Sequence, residues 1–251
     1  MTSPSPFLCL DLGNTTCRGA IWHQGKIYEE RVIPTVDFCT GDNEWLQSWN
    51  HQGQVAFCSV VPKAKEILLN RVSSISTEIF CLTSESCPGL PIEYPRPCEI
   101  GSDRIANSYA VFKRYTLPAI VIDLGTATTF DVITQSGGYV GGVILPGPQG
   151  MLDYLSNQTA LLPNIKLNQK PSCSQVIGKS TKMAMMNGIE HGYLPMINGI
   201  IDSISCELGQ NGQVVKSIIE TGGEAENFHI DGAIIHHNLT LDGLALACLS
   251  Q

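Results

Sequence analysis

Two stretches of this sequence repeat one pattern, and the repeat limits what the chain can fold into. The stretch CLDLGNTTCRGAI, residues 9–21, aligns with VIDLGTATTFDVI, residues 121–133, when Asp11 is placed on Asp123, 112 residues later (123 − 11). The matching pairs are Leu12 and Leu124, Gly13 and Gly125, Thr16 and Thr128, Ile21 and Ile133, and Gly25 and Gly137. Such a duplication in a chain of 251 residues predicts two domains. We expect them at residues 1–116 and 117–251, joined at the short link RYTLP.

Each repeat opens a predicted run of three strands, because apolar segments alternate with short turns. These runs lie at 7–12, 17–23 and 27–33, with a hairpin turn at 23–26, and at 119–124, 128–134 and 139–145. Further strands are predicted at 54–62, 79–82 and 215–223, and helices at 45–50, 63–72, 149–157, around 105–112, from Ser180 onward and over 241–249. In the helix after Ser180 we expect an apolar core stripe of Met183, Met186, Ile189 and Tyr193.

Charge and cysteine content exclude several classes of protein. The net charge is −8 and there is no basic run, so bulk nucleic acid and anionic membranes are not expected partners. No apolar stretch approaches the roughly 20 residues of a membrane span, and the N-terminal segment does not resemble a signal peptide. The ten cysteines contain no CxxC pair, which indicates reduced core residues. We therefore expect a soluble cytoplasmic protein.

The repeated motif has the layout of a phosphate-binding hairpin. A strand ends in Asp, and Gly and small hydroxyl or amide residues follow it. Glycine lets the backbone approach a ligand, N–H groups and hydroxyls donate to phosphate oxygens, and the carboxylate can hold a cation. A single copy is explained almost as well by an Asx or Ser/Thr turn. Two equivalent copies favour a site in which the two hairpins bind one polyphosphate from two sides. A GxxxxGK[ST] phosphate loop is absent from the sequence.

Together with the late TGG element, the hairpins resemble the superfamily of acetate and sugar kinases, actin and the heat-shock chaperone ATPases. Within it, the chain resembles the type III pantothenate kinases over nearly its whole length. The elements that match, in order, are residues 11–18, 59–62, 101–104, 123–129, 141–147, 178–181, 221–223 and 241–244. One residue departs from the family pattern, since Ser102 stands where the family most often has alanine.

The resemblance implies an α/β protein of two ribonuclease-H-like domains, the actin-like ATPase fold, with the active site in the cleft between them. It also implies a homodimer. The implied reaction is phosphorylation of the 4′-hydroxyl of pantothenate by ATP, the first step towards coenzyme A. The implied cofactors are Mg²⁺ with ATP, and a monovalent cation, K⁺ or NH₄⁺.

The resemblance also assigns roles to individual residues. Asp103 is the expected general base, Asp123 the ligand of the monovalent cation, and Asp11 a neighbour of Mg²⁺. The expected pantothenate-binding residues are Tyr94, Gly101, Ser102, Asp103, Arg104 and Thr181. The expected ATP-binding residues are Asp11, Leu12, Gly13, Asn14, Thr15, Thr16, Cys17, Arg18, Thr126, Gly222 and Gly223.

The residues alone leave alternatives open. Asp103 could simply cap the helix that follows it, Arg104 could be a surface residue, and Tyr94 a core residue. The histidines at 191, 229, 236 and 237 lack a Cys or carboxylate at ligand spacing, so we do not expect them to bind a metal. Two other functions are alternatives: an accessory factor for transcription, and a kinase or phosphatase of the same superfamily with another substrate. An intact catalytic set, a short chain and the Gly-x-Asp-Arg element favour the pantothenate kinase.

Overall fold

The computed structural model of the protein describes residues 5–42, 44–49, 51, 53–72, 76, 78–167 and 175–251. Its strands, in chain order, are β1 (Phe7–Leu12), β2 (Thr16–His23), β3 (Lys26–Pro34), β4 (Val55–Ser59), β5 (Ile79–Cys81), β6 (Ala119–Leu124), β7 (Ala127–Thr134), β8 (Gly138–Pro146), β9 (Ser217–Thr221) and β10 (Ile234–Ile235). Its α-helices are α1 (Thr35–Thr40), α2 (Glu44–Gln47), α3 (Pro62–Val72), α4 (Ser102–Arg114), α5 (Pro148–Gln158), α6 (Thr181–Gln210) and α7 (Leu239–Leu249). The strand and helix predictions are confirmed in type and order; α1 and β10 were not predicted.

The chain divides into two compact units that are not continuous in sequence. The first unit comprises Met1–Tyr115, Ile133–Gly141 and Asn238–Gln251, and the second comprises Thr116–Val132 and Gly142–His237. The main change of unit lies at Tyr115, within the predicted link. The prediction of residues 117–251 as one domain differs from this division, because the β7–β8 turn and the C-terminal helix α7 pack with the first unit.

The first unit is built on a five-stranded sheet of order β3-β2-β1-β4-β5. Strand β1 runs antiparallel to β2 and parallel to β4. The predicted turn between β2 and β3 is confirmed: Gln24 and Gly25 both have positive φ, 48° and 80°, as a tight two-residue hairpin requires. Because side chains alternate along a strand, β1 supplies both faces of the sheet.

Helices cover the two faces of this sheet. Phe7 and Cys9 face a core shared with α4 and α7, whereas Leu8, Leu10 and Leu12 face a core shared with α1, α2 and α3. Helix α7 approaches α4 so closely that a side chain at Gly243 would overlap the carbonyl of Ala106. A bidentate ion pair between Arg114 and Asp242 also joins these two helices, with Nη2 and Oδ1 2.6 Å apart.

The second unit contains a sheet of order β10-β9-β6-β7-β8, with β9 parallel to both β6 and β10. Its long helix α6 begins after Ser180, whose hydroxyl accepts the N–H of Met183 at 3.2 Å, as predicted for an N-cap. The predicted apolar stripe is wrong at Met183, which is 42% exposed. The buried stripe repeats every four residues, at Met185, Ile189, Tyr193, Ile197 and Ile201. None of the helices in the described ranges is long and apolar enough to cross a membrane.

Candidate active site

The first glycine hairpin joins β1 to β2 in the first unit. Asp11 lies at the end of β1, directly opposite Arg18 in the β-ladder, and its carboxylate accepts the thiol of Cys58 at 3.5 Å. The N–H of Gly13 donates to the carbonyl of Thr16 at 3.0 Å, which closes the turn. Residues 14 and 15 at the tip are exposed. The turn therefore presents its amide and hydroxyl groups to solvent, as a phosphate site requires.

Thr35, the first residue of α1, forms hydrogen bonds to the main chain of this hairpin. Its N–H donates to the carbonyl of Thr15 at 2.9 Å, and its hydroxyl donates to the carbonyl of Gly13 at 2.7 Å. The thiol of Cys17 donates to the same hydroxyl at 3.6 Å. Thr35 is nearly buried, with 6% of its surface exposed. Thr35 was not predicted as a site residue, because its partners lie about twenty positions upstream and no local pattern marks it.

Other members of the predicted ATP-binding segment have different environments. The side chains of Leu12 and Cys17 are fully buried, so only their main-chain groups can reach a nucleotide. Burial raises the pKa of the Cys17 thiol to about 11, which keeps it neutral. The guanidinium of Arg18 donates to Glu30 at 2.5 Å and to Asn238 at 2.7 Å. These two partners fix the direction of the Arg18 side chain.

The Gly-x-Asp-Arg element forms the start of α4. Gly101 is the N-cap residue, and Asp103 accepts the N–H of Arg104 at 2.7 Å. A Cβ atom at Gly101 would lie 2.5 Å from the Asp103 carboxylate, so only glycine leaves room for this conformation. Burial raises the pKa of Asp103 above its ordinary value, against the opposing effects of the Arg104 N–H and guanidinium. A carboxylate with a raised pKa is a stronger base than an ordinary one, which suits it to accept a proton from a substrate hydroxyl.

Ser102 does not point its hydroxyl proton towards solvent. The hydroxyl accepts the N–H of Ser59 at 2.9 Å and donates to the carbonyl of Ser59 at 2.9 Å. Only 8% of the residue is exposed. A cleft of about 550 Å³ borders this junction, and its lining includes Ser59, Lys65, Thr83, Glu85, Gly101 and Ser102.

Two of the predicted substrate-binding residues contact the aromatic ring of Tyr139. The Tyr94 ring lies edge-on to it with centroids 6.0 Å apart, and the Arg104 guanidinium lies 5.8 Å from its centroid. Main-chain hydrogen bonds secure the segment, since Tyr139 accepts from Glu93 at 2.8 Å and donates to Pro91 at 3.0 Å. Tyr139 was missed by the sequence analysis because it lies on β8, far from Tyr94 in sequence.

The second hairpin joins β6 to β7 in the second unit. The N–H of Gly125 donates to Ala127 at 3.1 Å, and the carbonyl of Thr126 accepts the N–H of Gly147 at 3.0 Å. Any side chain at Gly147 would overlap the carbonyl of Gly125, which explains the glycine of the matched 141–147 element. The side chain of Thr126 is exposed. Behind the hairpin, Thr128 and Tyr193 share a buried hydrogen bond of 2.5 Å.

The late glycine pair adjoins this second hairpin. Gly222 has φ of 94°, and a Cβ there would lie 2.5 Å from the Asp123 carboxylate and from the carbonyl of Leu124. Gly223 is exposed with open space around it. The structure thus brings Gly222 and the predicted cation ligand Asp123 together, and the backbone there remains open to a ligand.

Two further features of the second unit bear on the predictions. The buried carboxylate of Glu220 accepts the N–H of Ile230 at 3.0 Å and contacts His229 Nδ1 at 2.5 Å, so it anchors the turns after Gly223. Thr181 is exposed as the first residue of α6. No group of three or more potential metal-ligating side chains occurs in the part of the chain that the structure describes.

A family model described as type III pantothenate kinase matches residues 7–203, which include both hairpins and the start of α4. This chain belongs to the type III pantothenate kinase family. Type III pantothenate kinases from three organisms illustrate the similarity. The protein of Methylacidiphilum infernorum is 33% identical over 248 residues, covering 95% of this chain and 86% of its own. That of Akkermansia muciniphila is 36% identical, with coverage of 96% and 97%, and that of Legionella pneumophila strain Paris is 34% identical, with 96% and 98%.

Solved structures support the fold class. A conserved putative Baf family transcriptional activator from Campylobacter jejuni has a TM-score of 0.58 and 19% identity, covering 96% of this chain and 97% of its own. The ethanolamine utilization protein EutJ from Carboxydothermus hydrogenoformans has a TM-score of 0.51 and 14% identity, covering 98% and 91%. At these identities the likeness concerns the fold alone. The predicted actin-like ATPase fold, with its two α/β units, is confirmed.

Proposed function

We propose that this protein transfers the terminal phosphoryl group of ATP to the 4′-hydroxyl of pantothenate, the first committed phosphorylation on the way to coenzyme A. The observation that carries the proposal is the family match over residues 7–203, within which all predicted catalytic elements up to Thr181 are present. The local geometry supports it, because both hairpins present open turns and Asp103 is held at a helix start.

Asp103 is proposed as the general base. Phosphoryl transfer depends mainly on positioning and charge stabilisation, so a carboxylate that accepts the hydroxyl proton late in the reaction is sufficient. The raised pKa of Asp103, caused by burial, brings its basicity closer to that of the alcohol during attack. Its contact with the Arg104 N–H supports this role, since that bond fixes the orientation of the carboxylate at the helix start.

Pantothenate is proposed to bind beside Tyr94, Gly101, Ser102, Arg104 and Thr181. Arg104 suits the carboxylate of pantothenate or a phosphate, because a guanidinium binds oxyanions through two parallel donors. Its position over the Tyr139 ring orients this guanidinium. Tyr139 therefore joins the proposed site as a supporting residue, and its ring restricts how Tyr94 and Arg104 can move.

The two hairpins are proposed to hold the phosphates of ATP, residues 11–18 from the first unit and Thr126 from the second. Gly222 and Gly223 are proposed to lie against the adenosine, and the open space around Gly223 supports this placement. Carboxylate oxygens are suitable ligands for hard cations: Asp11 would lie near Mg²⁺ and Asp123 would hold K⁺ or NH₄⁺. Bound there, these cations would offset negative charge on the transferring group.

We also propose a homodimer located in the cytoplasm. Large apolar side chains around the start of α6 are exposed, including Val176 at 65%, Ile177 at 80% and Met183 at 42%. Isolated monomers seldom expose several large apolar residues close together, so these side chains support burial against a second copy. The cytoplasmic location agrees with the use of ATP and with the free thiols of nine cysteines in the part of the chain that the structure describes.

A coupled assay of ADP formation with and without pantothenate tests the proposed function. We expect turnover to depend on pantothenate and to yield a phosphomonoester at the 4′ position, identifiable by mass spectrometry. Pantoic acid and β-alanine, the two halves of the substrate, serve as controls and should not replace it. ADP formation that is indifferent to pantothenate would refute the proposal.

A further inference from the structure

The end of strand β4 lacks a neighbouring strand on one side. Successive residues of a strand direct their main-chain groups to opposite neighbours. Phe57 faces β5, because its carbonyl accepts the N–H of Leu82 at 2.9 Å, and Val60 faces β1, because its N–H donates to Leu12 at 3.2 Å. Ser59 therefore faces the β5 side, but β5 ends at Cys81.

The Ser102 hydroxyl occupies the place of the missing strand. It bonds both the N–H and the carbonyl of Ser59, each at 2.9 Å, as a neighbouring strand would. The bond links the first residue of α4 to the last residue of β4, across 43 positions of sequence. We call these two hydrogen bonds between Ser102 and Ser59 the tether. Asp103 is the next residue along the helix, so the tether lies one position from the proposed base.

We propose that the Ser102 hydroxyl is a positioning group that fixes the first turn of α4 to the end of β4 and thereby holds the Asp103 carboxylate in its reactive position. This inference rests on the proposed function of Asp103 as base. It differs from the substrate-binding role expected from the sequence, because both directions of the hydroxyl are used by Ser59. Without the hydroxyl, the helix start would lose both of its direct bonds to the main chain of Ser59.

The tether also bears on the surroundings of Asp103. Charged and titratable groups that interact with this carboxylate include the Arg104 guanidinium on its own helix and the Cys58 thiol on β4, which itself donates to the Asp11 carboxylate. Burial at the α4–β4 junction is the main cause of the raised pKa of Asp103. A loosened first turn admits water, so the pKa of Asp103 should fall towards its ordinary value.

The test compares Ser102→Ala with Ser108→Ala on the same helix. Alanine has the highest helix propensity, so both variants should fold. Ser108 is a matched control: it is fully buried, and within the described residues its hydroxyl has no hydrogen-bond partner. We expect Ser102→Ala to lower kcat about tenfold through misplacement of the base, with KM for ATP unchanged within about twofold. Ser108→Ala should retain the parent kcat.

A second readout does not depend on turnover. The carboxyl resonance of Asp103 in ¹³C-aspartate-labelled protein, assigned by its loss in Asp103→Asn, should titrate at lower pH in Ser102→Ala than in the parent or in Ser108→Ala. The proposal would be overturned if Ser102→Ala kept the kcat of the parent and its Asp103 resonance titrated as in the parent. It would also be overturned if Ser102→Ala and Ser108→Ala lost kcat equally. If the parent shows no pantothenate-dependent turnover, the proposed function fails, and the resonance alone then decides whether Ser102 positions Asp103.

Discussion

Asp103→Asn separates the catalytic role of this residue from its structural role. Asparagine keeps a side-chain oxygen that can accept the Arg104 N–H, a bond of 2.7 Å in the parent, so the start of α4 should be preserved. The substitution removes the proton acceptor and its negative charge. We expect kcat to fall by about 10²-fold or more, the usual contribution of a positioned general base. KM for ATP should change little, because the proposed nucleotide contacts lie on the two hairpins.

The same substitution should raise stability at neutral pH. Burial raises the pKa of Asp103, so the folded state binds more protons than the unfolded state between the ordinary and the raised pKa. The free energy of unfolding therefore falls as pH rises through that window, and the ionised carboxylate remains unfavourable above it. Asparagine carries no charge and avoids this cost. The variant should melt at a higher temperature than the parent at pH 7, and the difference should vanish below about pH 4.

Steady-state kinetics and thermal unfolding at both pH values measure these effects. Asp37→Asn is a suitable control, because Asp37 is exposed and also lies in the first turn of a helix, α1. It should retain kcat and gain no stability, since an exposed acidic residue near a helix N-terminus is favourable by a few tenths of a kcal/mol. The reasoning would be refuted by an Asp103→Asn enzyme that phosphorylates pantothenate within a few-fold of the parent. The carboxylate would then be structural, and the hydroxyl proton would leave by another route, directly to phosphate for example.

Three further predictions concern the nucleotide site and the assembly. Thr35→Val removes the hydroxyl bonded to Gly13 but keeps the shape of the side chain. In steady-state kinetics, KM for ATP should therefore rise about tenfold, and KM for pantothenate should not change. Equal changes in the two KM values would contradict a specific effect on the hairpin. Activity should depend on K⁺ or NH₄⁺ through Asp123, and full activity in Na⁺ buffer with Mg²⁺ present would rule this out. Light scattering should give the mass of a dimer at micromolar concentrations. Ile177→Glu should shift the population towards monomer, whereas an unchanged dimer would place the interface elsewhere.

Much of the fold could be predicted from sequence, because hydrophobic alternation and glycine turns are local signals. The repeat around Asp11 and Asp123 predicted two equivalent hairpins, and the structure contains both. Helix α1 was missed because it has only six residues, too few to establish an apolar period. The apolar stripe of α6 was wrongly predicted to include Met183 for a related reason. Methionines at 183, 185 and 186 fit more than one helical face, and only tertiary packing determines that Met185 is the buried one.

The supporting residues of the site could not be predicted in the same way. Thr35 contacts the first hairpin, Ser102 contacts Ser59, and Tyr139 lies beside Tyr94 only because the chain returns from distant positions. Ser102 was noted as a departure from the family pattern, but its partner was not identifiable. Such contacts depend on strand order and on where each strand ends. Neither the strand order nor the end of each strand can be predicted from a local motif.

The position of α7 has a consequence for biosynthesis. Helix α7 supplies Leu241 and Leu244 to the core of the first unit and is joined to α4 by the pair of Asp242 with Arg114. These residues are synthesised after all the residues of the second unit, so the unit that is begun first is completed second. Until then the nascent chain carries Ile105 and Tyr109 without their apolar cover. The second unit, whose last residue is His237, has all its sequence earlier. Ribosome-bound chains stalled before residue 239 should therefore be preferred clients of trigger-factor-like chaperones, and release of the last helix should end that dependence.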